Sequence, residues 1–196
     1  MFVGEMMKSS LPISETERLI LREINEHDIF DMHEYAQLSY IGPNAGWEPH
    51  GSLSHTKEVI RSFNRKPQYG QLGVYAIILK ENHKMIGTVE LHTYVRDFKA
   101  ELGYTVSPYY WGLGIAVEAS KELIKWGFNQ LNLKRIECCC FSTNAQSRRV
   151  CEKLQFRYEG LRRKGYKLYN GYIGDLDCYA MIDEEFHQII EDNLWD

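Results

Sequence analysis

No stretch of the sequence approaches the roughly 20 consecutive apolar residues that span a bilayer, and positions 1–10 lack the apolar run of a secretory signal. A soluble, cytoplasmic protein is the expectation. Blocks of like charge are also missing: 23 basic and 27 acidic residues are spread along the chain, for a net charge of −4. That pattern supplies neither a charged tail nor the footprint of direct nucleic-acid or membrane binding. Internal repeats and low-complexity segments are absent. The five cysteines are an odd number, and Cys138, Cys139 and Cys140 are consecutive. In a strand they would alternate between opposite faces, which is poor geometry for a disulfide or zinc framework. Small hydrophobic filler in a reducing compartment, with no metal, is the simpler reading.

What is present is enough apolar material for one core. With 196 residues, 44% hydrophobic, and no break in composition, the chain reads as a single domain over 1–196. Positions 1–15 read as a flexible or peripheral N-terminal segment. Positions 18–23 (RLILRE) alternate apolar and charged residues as a half-buried strand does. Asn25 then offers a cap for a helix carrying Ile29, Met32, His33 and Ala36. Positions 41–54 hold two prolines and three glycines and predict a loop, followed by a short helix over 55–64.

Three runs rich in β-branched and aromatic residues, at 72–79, 85–95 and 100–106, predict an antiparallel meander. A helix with one apolar stripe (Ile115, Ala119, Leu123, Ile124, Phe128) comes next. A strand over 135–141, a helix over 145–154 and a final strand pair at 156–164 and 172–181 complete the chain. Asn170-Gly171 between the last two is a hairpin signal.

The most informative segment is 106–119 (VSPYYWGLGIAVEA). A strand ends there, Pro108 blocks direct passage into helix, and two glycines precede strong helix formers. Glycines let the backbone approach a ligand, and the first helical turn leaves N–H groups unpaired at the positive end of the helix dipole. A pyrophosphate fits such a place, and so does a plain tight connection. The Lys-Ser/Thr ending of a phosphate-binding P-loop is lacking. The turn also follows an antiparallel strand rather than opening a βαβ unit, which argues against a dinucleotide fold.

On these residues the chain resembles the GNAT acetyltransferase superfamily, and within it the RimJ/RimL type that acetylates ribosomal-protein N-termini. The resemblance runs from the segment at 16–22 (TERLILR) to about Phe186. The acetyl-CoA signature Gln/Arg-x-x-Gly-x-Gly/Ala is matched by 111–116 (WGLGIA), with Trp111 in the first position. A second segment, 141–160 (FSTNAQSRRVCEKLQFRYEG), is similar to the branch pattern at Asn144, Ser147, Glu152, Lys153, Phe156, Glu159 and Gly160. There Gln155 replaces the usual helix-ending glycine. The resemblance implies an α+β GNAT fold with a mostly antiparallel, V-splayed mixed sheet flanked by helices. It implies acetyl-CoA as cosubstrate, held by Val106, Trp111, Gly112, Leu113, Gly114, Ile115, Ala116, Val117, Asn144 and Ser147. The implied acceptor is a protein N-terminal α-amine, with polyamines, antibiotics and amino acids as alternatives, and a non-catalytic acyl-CoA-binding module as the rival class. Monomer and homodimer both remain open.

An amine must lose a proton before it attacks a thioester, and an α-amino group has a reference pKa of about 8, so a modest base suffices. Glu101 resembles the family's strand carboxylate and is the first candidate. Glu90, on the preceding strand with His92 on the same face, is the second, and either could be an ordinary sheet-face carboxylate. Many relatives place a tyrosine seven residues after the motif asparagine to protonate the departing thiolate. Here that position is Cys151, and Ser147 is the matched residue with a transferable proton; its plainer role is a helix-start hydrogen bond. Trp47, unusual in a linker, reads equally as a contact for the acceptor and as a plug over the core.

Overall fold

The computed structural model describes residues 11–195, so of the expected N-terminal segment positions 1–10 lie outside the described residues. The chain runs β1 (Ser14–Glu15), β2 (Leu19–Glu23), α1 (Ile29–Ala36), α2 (Gly42–Ala45), α3 (Leu53–Arg65), β3 (Tyr75–Leu79), β4 (Met85–Val95), β5 (Lys99–Val106), α4 (Ile115–Asn129), β6 (Arg135–Phe141), α5 (Ala145–Lys153), β7 (Arg157–Lys167), β8 (Ile173–Ile182) and α6 (Asp183–Glu191). All eight strands form one sheet in the order β1-β2-β3-β4-β5-β6-β8-β7. Every neighbouring pair is antiparallel except β5 and β6. Those two strands pair only at Lys99↔Arg135, Ala100↔Ile136 and Glu101↔Glu137, although both continue well beyond. The sheet therefore opens as a V after Glu101, which is the expected splay.

Burial explains why the strands read differently from one another. In β3 alternate residues serve two cores: Tyr75 and Ile77 join the cluster under α4, while Ala76 and Ile78 join Met32, Tyr35 and Ile60 of α1 and α3. A strand covered on both faces is apolar throughout rather than alternating. Helix α4 buries Ile115, Ala119, Leu123, Ile124 and Phe128 against Leu91, Leu102 and Ile136. Full burial of side chains of this size contributes about 1.5–3 kcal/mol each. At the far edge, β7 is exposed along nearly all its length.

Several local features differ from expectation. The 41–54 segment is not all loop, because Gly42–Ala45 makes one helical turn. Helix α3 begins at Leu53, earlier than predicted, because the Ser52 side chain accepts the His55 N–H at 3.1 Å and caps it. The β7–β8 connection spans 168–172, closed by Leu168 N–H to Tyr172 C=O at 2.8 Å, with Asn170 and Gly171 inside it as expected. Gln155 takes the glycine's part in the last turn of α5: its φ is +66°, and Phe156 N–H still reaches Cys151 C=O at 3.0 Å. A non-glycine residue in that region costs about 1–2 kcal/mol, so the helix end keeps its shape at the expense of some stability. Helix α6 has no counterpart in the sequence reading; Phe186 anchors it by stacking on Phe128 with ring centroids 4.8 Å apart.

Candidate active site

Beyond Glu101 the parted strands leave a cavity of ≈470 Å³ between β5 and one face of α5, floored by the turn into α4. Val106, Trp111, Gly112, Gly114, Ile115, Ala116, Val117, Asn144 and Ser147 all line it; Leu113 does not, and its side chain is 55% exposed. The glycines are used as the motif requires. Gly112 and Gly114 sit at φ +76° and +78°, a region that is strained for residues with a Cβ. No side chain caps α4, and its first hydrogen bond runs from Glu118 N–H to Gly114 C=O at 3.0 Å. The N–H groups of 115–117 thus have no intrahelical acceptors, and these residues face the cavity. Trp111 stabilises the turn, since its indole N–H donates to Val106 C=O at 2.7 Å.

Three cations lie near this cavity to which the sequence reading gives no role at the site, although Arg18 and Lys153 fall within its matched segments. Arg149 and Lys153 project from α5 into its lining, four residues apart on one helical face. Arg18, on the approach to β2, holds Glu118 in the first turn of α4, with Nε 2.7 Å from the carboxylate. Burial raises the Glu118 pKa, but hydrogen bonds from Thr16 and Arg18 outweigh it and hold the group below the usual carboxylate range. The helix start is therefore kept from presenting an uncompensated negative charge. Only the i, i+4 spacing of Arg149 and Lys153 could have signalled them beforehand.

A second cavity of ≈220 Å³ lies across the splay, among Glu101, His92, Gly103, Cys139, Phe141, Tyr166 and residues 44–46. Both cavities share Asn44, Ala45, Tyr104 and Ser147. The two candidate carboxylates are separated by their neighbours. Glu90 is ion-paired with Lys66 and lines neither cavity. Glu101 lines the second cavity and has no ion-pair partner among the described residues, whereas Glu137 opposite it is held by Arg135 at 2.9 Å and Lys99 at 3.2 Å. His92, facing Glu101 across the strands, bonds through Nδ1 to Thr93 Oγ1 at 2.9 Å.

Where the cavities meet, Ser147 Oγ lies 2.6 Å from the Tyr104 hydroxyl. Asn144 caps α5 through the Ser147 N–H at 3.1 Å, so it orients the helix start that presents Ser147. Burial pushes the Tyr104 phenol well above its ordinary pKa, with the neighbouring Cys138 adding to the shift. Its proton is therefore held tightly. Cys151, at the position where many relatives carry tyrosine, is fully buried with its thiol 3.4 Å from that of Cys138 and lines neither cavity. Trp47 lines neither cavity either. It packs against the α1–α3 core and the His50 ring, centroids 5.1 Å apart, while residues 44–46 line the second cavity.

Comparison with known proteins gives the family. The acetyltransferase (GNAT) domain family matches residues 18–157. N-acetyltransferase p20 of Bacillus licheniformis is 31% identical over 172 residues, covering 87% of this chain and 96% of that protein. The crystal structure of a GNAT-family acetyltransferase from Bacillus anthracis superposes with a TM-score of 0.78 at 27% identity, covering 89% of this chain and 100% of that one. The ribosomal-protein-S5-alanine acetyltransferase of Vibrio fischeri superposes with a TM-score of 0.73 at 25% identity, covering 89% and 98%. The chain belongs to the GNAT family and is an acetyl-CoA-dependent N-acetyltransferase.

Proposed function

We propose that this enzyme acetylates the N-terminal α-amine of a protein, of the ribosomal-protein type, from a single domain whose strands all join one sheet. The observation that carries the reading is the acceptor cavity: at ≈220 Å³ it is smaller than the roughly 300–1,000 Å³ of pockets that enclose whole small molecules. It suits the end of a chain whose remainder stays outside. The ribosomal-protein acetyltransferase of Vibrio fischeri shares the fold and supports the same class of acceptor.

The larger cavity has the chemistry an acyl-CoA needs. The free N–H groups of 115–117 and the α4 dipole would hold the pyrophosphate, and Arg149 and Lys153 would balance a further phosphate. When bound, acetyl-CoA supplies an activated acyl carbon. The chain's own residues then do the proton work. Glu101 accepts the first proton of the incoming ammonium and returns it to solvent; as the tetrahedral intermediate collapses, Ser147 donates its hydroxyl proton to the leaving sulfur and takes the remaining nitrogen proton in exchange, so the serine is restored. In this reading Tyr104, whose hydroxyl lies 2.6 Å from Ser147 Oγ, is the donor of that pair and leaves the serine's own proton free to point toward the acyl donor. Holding both substrates across the splay supplies the positional part of catalysis.

The test is an acceptor panel with acetyl-CoA: N-terminal peptides, their Nα-blocked counterparts, polyamines, aminoglycosides and amino acids, scored by thiol release and product mass. Acetylation of free but not blocked peptides is expected. Turnover confined to polyamines, aminoglycosides or amino acids would contradict the proposal.

A further inference from the structure

Most cations of the described chain are matched by carboxylates: Arg18 by Glu118, Arg22 by Asp28, Arg61 by Glu26 and Glu58, Lys134 by Asp183. Strand β7 is different. Arg162, Arg163, Lys164 and Lys167 are exposed, and none has an ion-pair partner among the described residues. Of the nearby carboxylates, two are engaged elsewhere and Asp175 lies beside Lys164. Glu159 is bound to Arg135, Asp177 lies 3.8 Å from Arg148 and accepts the Tyr158 hydroxyl at 3.3 Å, and Asp175 accepts the backbone N–H of Lys164 at 2.7 Å. A protein of net charge −4 thus carries, on the outer edge of its sheet, a strip in which four cations outnumber the one carboxylate, Asp175, left beside them.

The strip is continuous with the acceptor cavity. Arg162 is paired in register with Leu176, and both Leu176 and Tyr166 line that cavity. The Tyr166 hydroxyl donates to Gly46 C=O at 3.0 Å, which ties the hairpin to the loop on the opposite wall. The register also shifts between Arg162 and Tyr166, and Lys164 sits at φ +51°, so the strand is bulged where the cations cluster. A chain whose amine enters at Glu101 must leave the cavity past one of these walls.

We infer that residues 162–167 select acceptors with Asp or Glu side chains in the few residues that follow the terminal amine. The inference rests on the α-amine reading above and sharpens it to a substrate class. Charge complementarity argues for an acidic peptide, and the shortness of the strip, one strand segment beside a small cavity, favours a peptide over RNA. Exposed ion pairs are individually weak and screened by salt, so the selectivity should be about tenfold in kcat/KM at low ionic strength, expressed mainly in KM.

The experiment compares two peptide series that share their first two residues and carry Asp/Glu or Lys at positions 3–6, with acetyl-CoA saturating. Wild type should prefer the acidic series about tenfold, and 0.5 M NaCl should erase the difference. The variant R162E/R163E/K164E should prefer the Lys series, with KM for acetyl-CoA unchanged. The neutral variant R162Q/R163Q/K164Q should treat both alike, and covers the case in which charge reversal impairs folding. Equal use of both series by wild type overturns the strip while leaving the α-amine reading intact; failure to acetylate either series overturns both. Binding of fluorescent single-stranded RNA that is lost in R162E/R163E/K164E, with no peptide preference in wild type, would assign the strip to nucleic acid and also overturn the inference.

Discussion

The two cavities on either side of the splay are built in different ways. The side we propose for the acyl donor is built mainly on contiguous backbone, the run 104–117 with its glycines at positive φ and helix-start N–H groups, faced by one side of α5. The side we propose for the acceptor is made from residues gathered from β4, β5, β6, β7, β8, the start of α5 and positions 44–46. Backbone features travel as short motifs, whereas a side-chain wall assembles only when distant strands come together. A common cosubstrate can therefore persist while the acceptor changes.

The largest effect that would sharpen this contrast is expected at Glu101. Glu101→Gln should lower kcat by about 10²–10⁴-fold in steady-state assays at saturating acetyl-CoA. Glu90→Gln, which only unpairs Lys66, should leave kcat within about threefold. A reversal of that order would move the base to β4. Next comes the donor side, where Gly114→Asp forces a Cβ into φ +78° and places a negative charge at the anion site. Calorimetry should show acetyl-CoA binding weakened roughly a hundredfold, about 2.7 kcal/mol. Unchanged affinity would show that the phosphates lie elsewhere.

The smallest effect on catalysis is expected at Trp47. As a half-buried plug against the α1–α3 core, Trp47→Ala should cost about 2 kcal/mol and lower the melting temperature by about 4–8 °C. Acceptor KM should stay within twofold. A raised KM at unchanged melting temperature would return Trp47 to the acceptor wall.

Legibility in the sequence followed the same division. The strand periods, the meander and the glycine turn were readable because each is local, whereas Asn144 and Ser147 came from the family resemblance. The neighbours that distinguish Glu101 from Glu90 were not, since Lys66 pairs with Glu90 from 24 positions away. Tyr104 stood in plain view as part of a strand, but its partner Ser147 is 43 positions distant. Helix α6 was missed although Asp183, Glu184 and Glu185 in its first turn, followed by Phe186 and Ile189, carry an ordinary helix-start pattern. The unpaired cations of β7 were equally invisible, because a charge run shows its lack of partners only once every carboxylate has been placed.

The central claim is that protons cross the splay through Ser147, with Tyr104 setting its orientation. It is tested most directly by a double-mutant cycle of Ser147→Ala and Tyr104→Phe, following kcat by single-turnover thiol release where chemistry limits the rate. The account predicts that Ser147→Ala lowers kcat by about 10²–10⁴-fold with little change in KM for acetyl-CoA. Tyr104→Phe should lower kcat less, and the double variant should be no slower than Ser147→Ala alone, because the tyrosine acts only through the serine. A Ser147→Ala enzyme within threefold of wild type, or two losses that simply multiply, would contradict it.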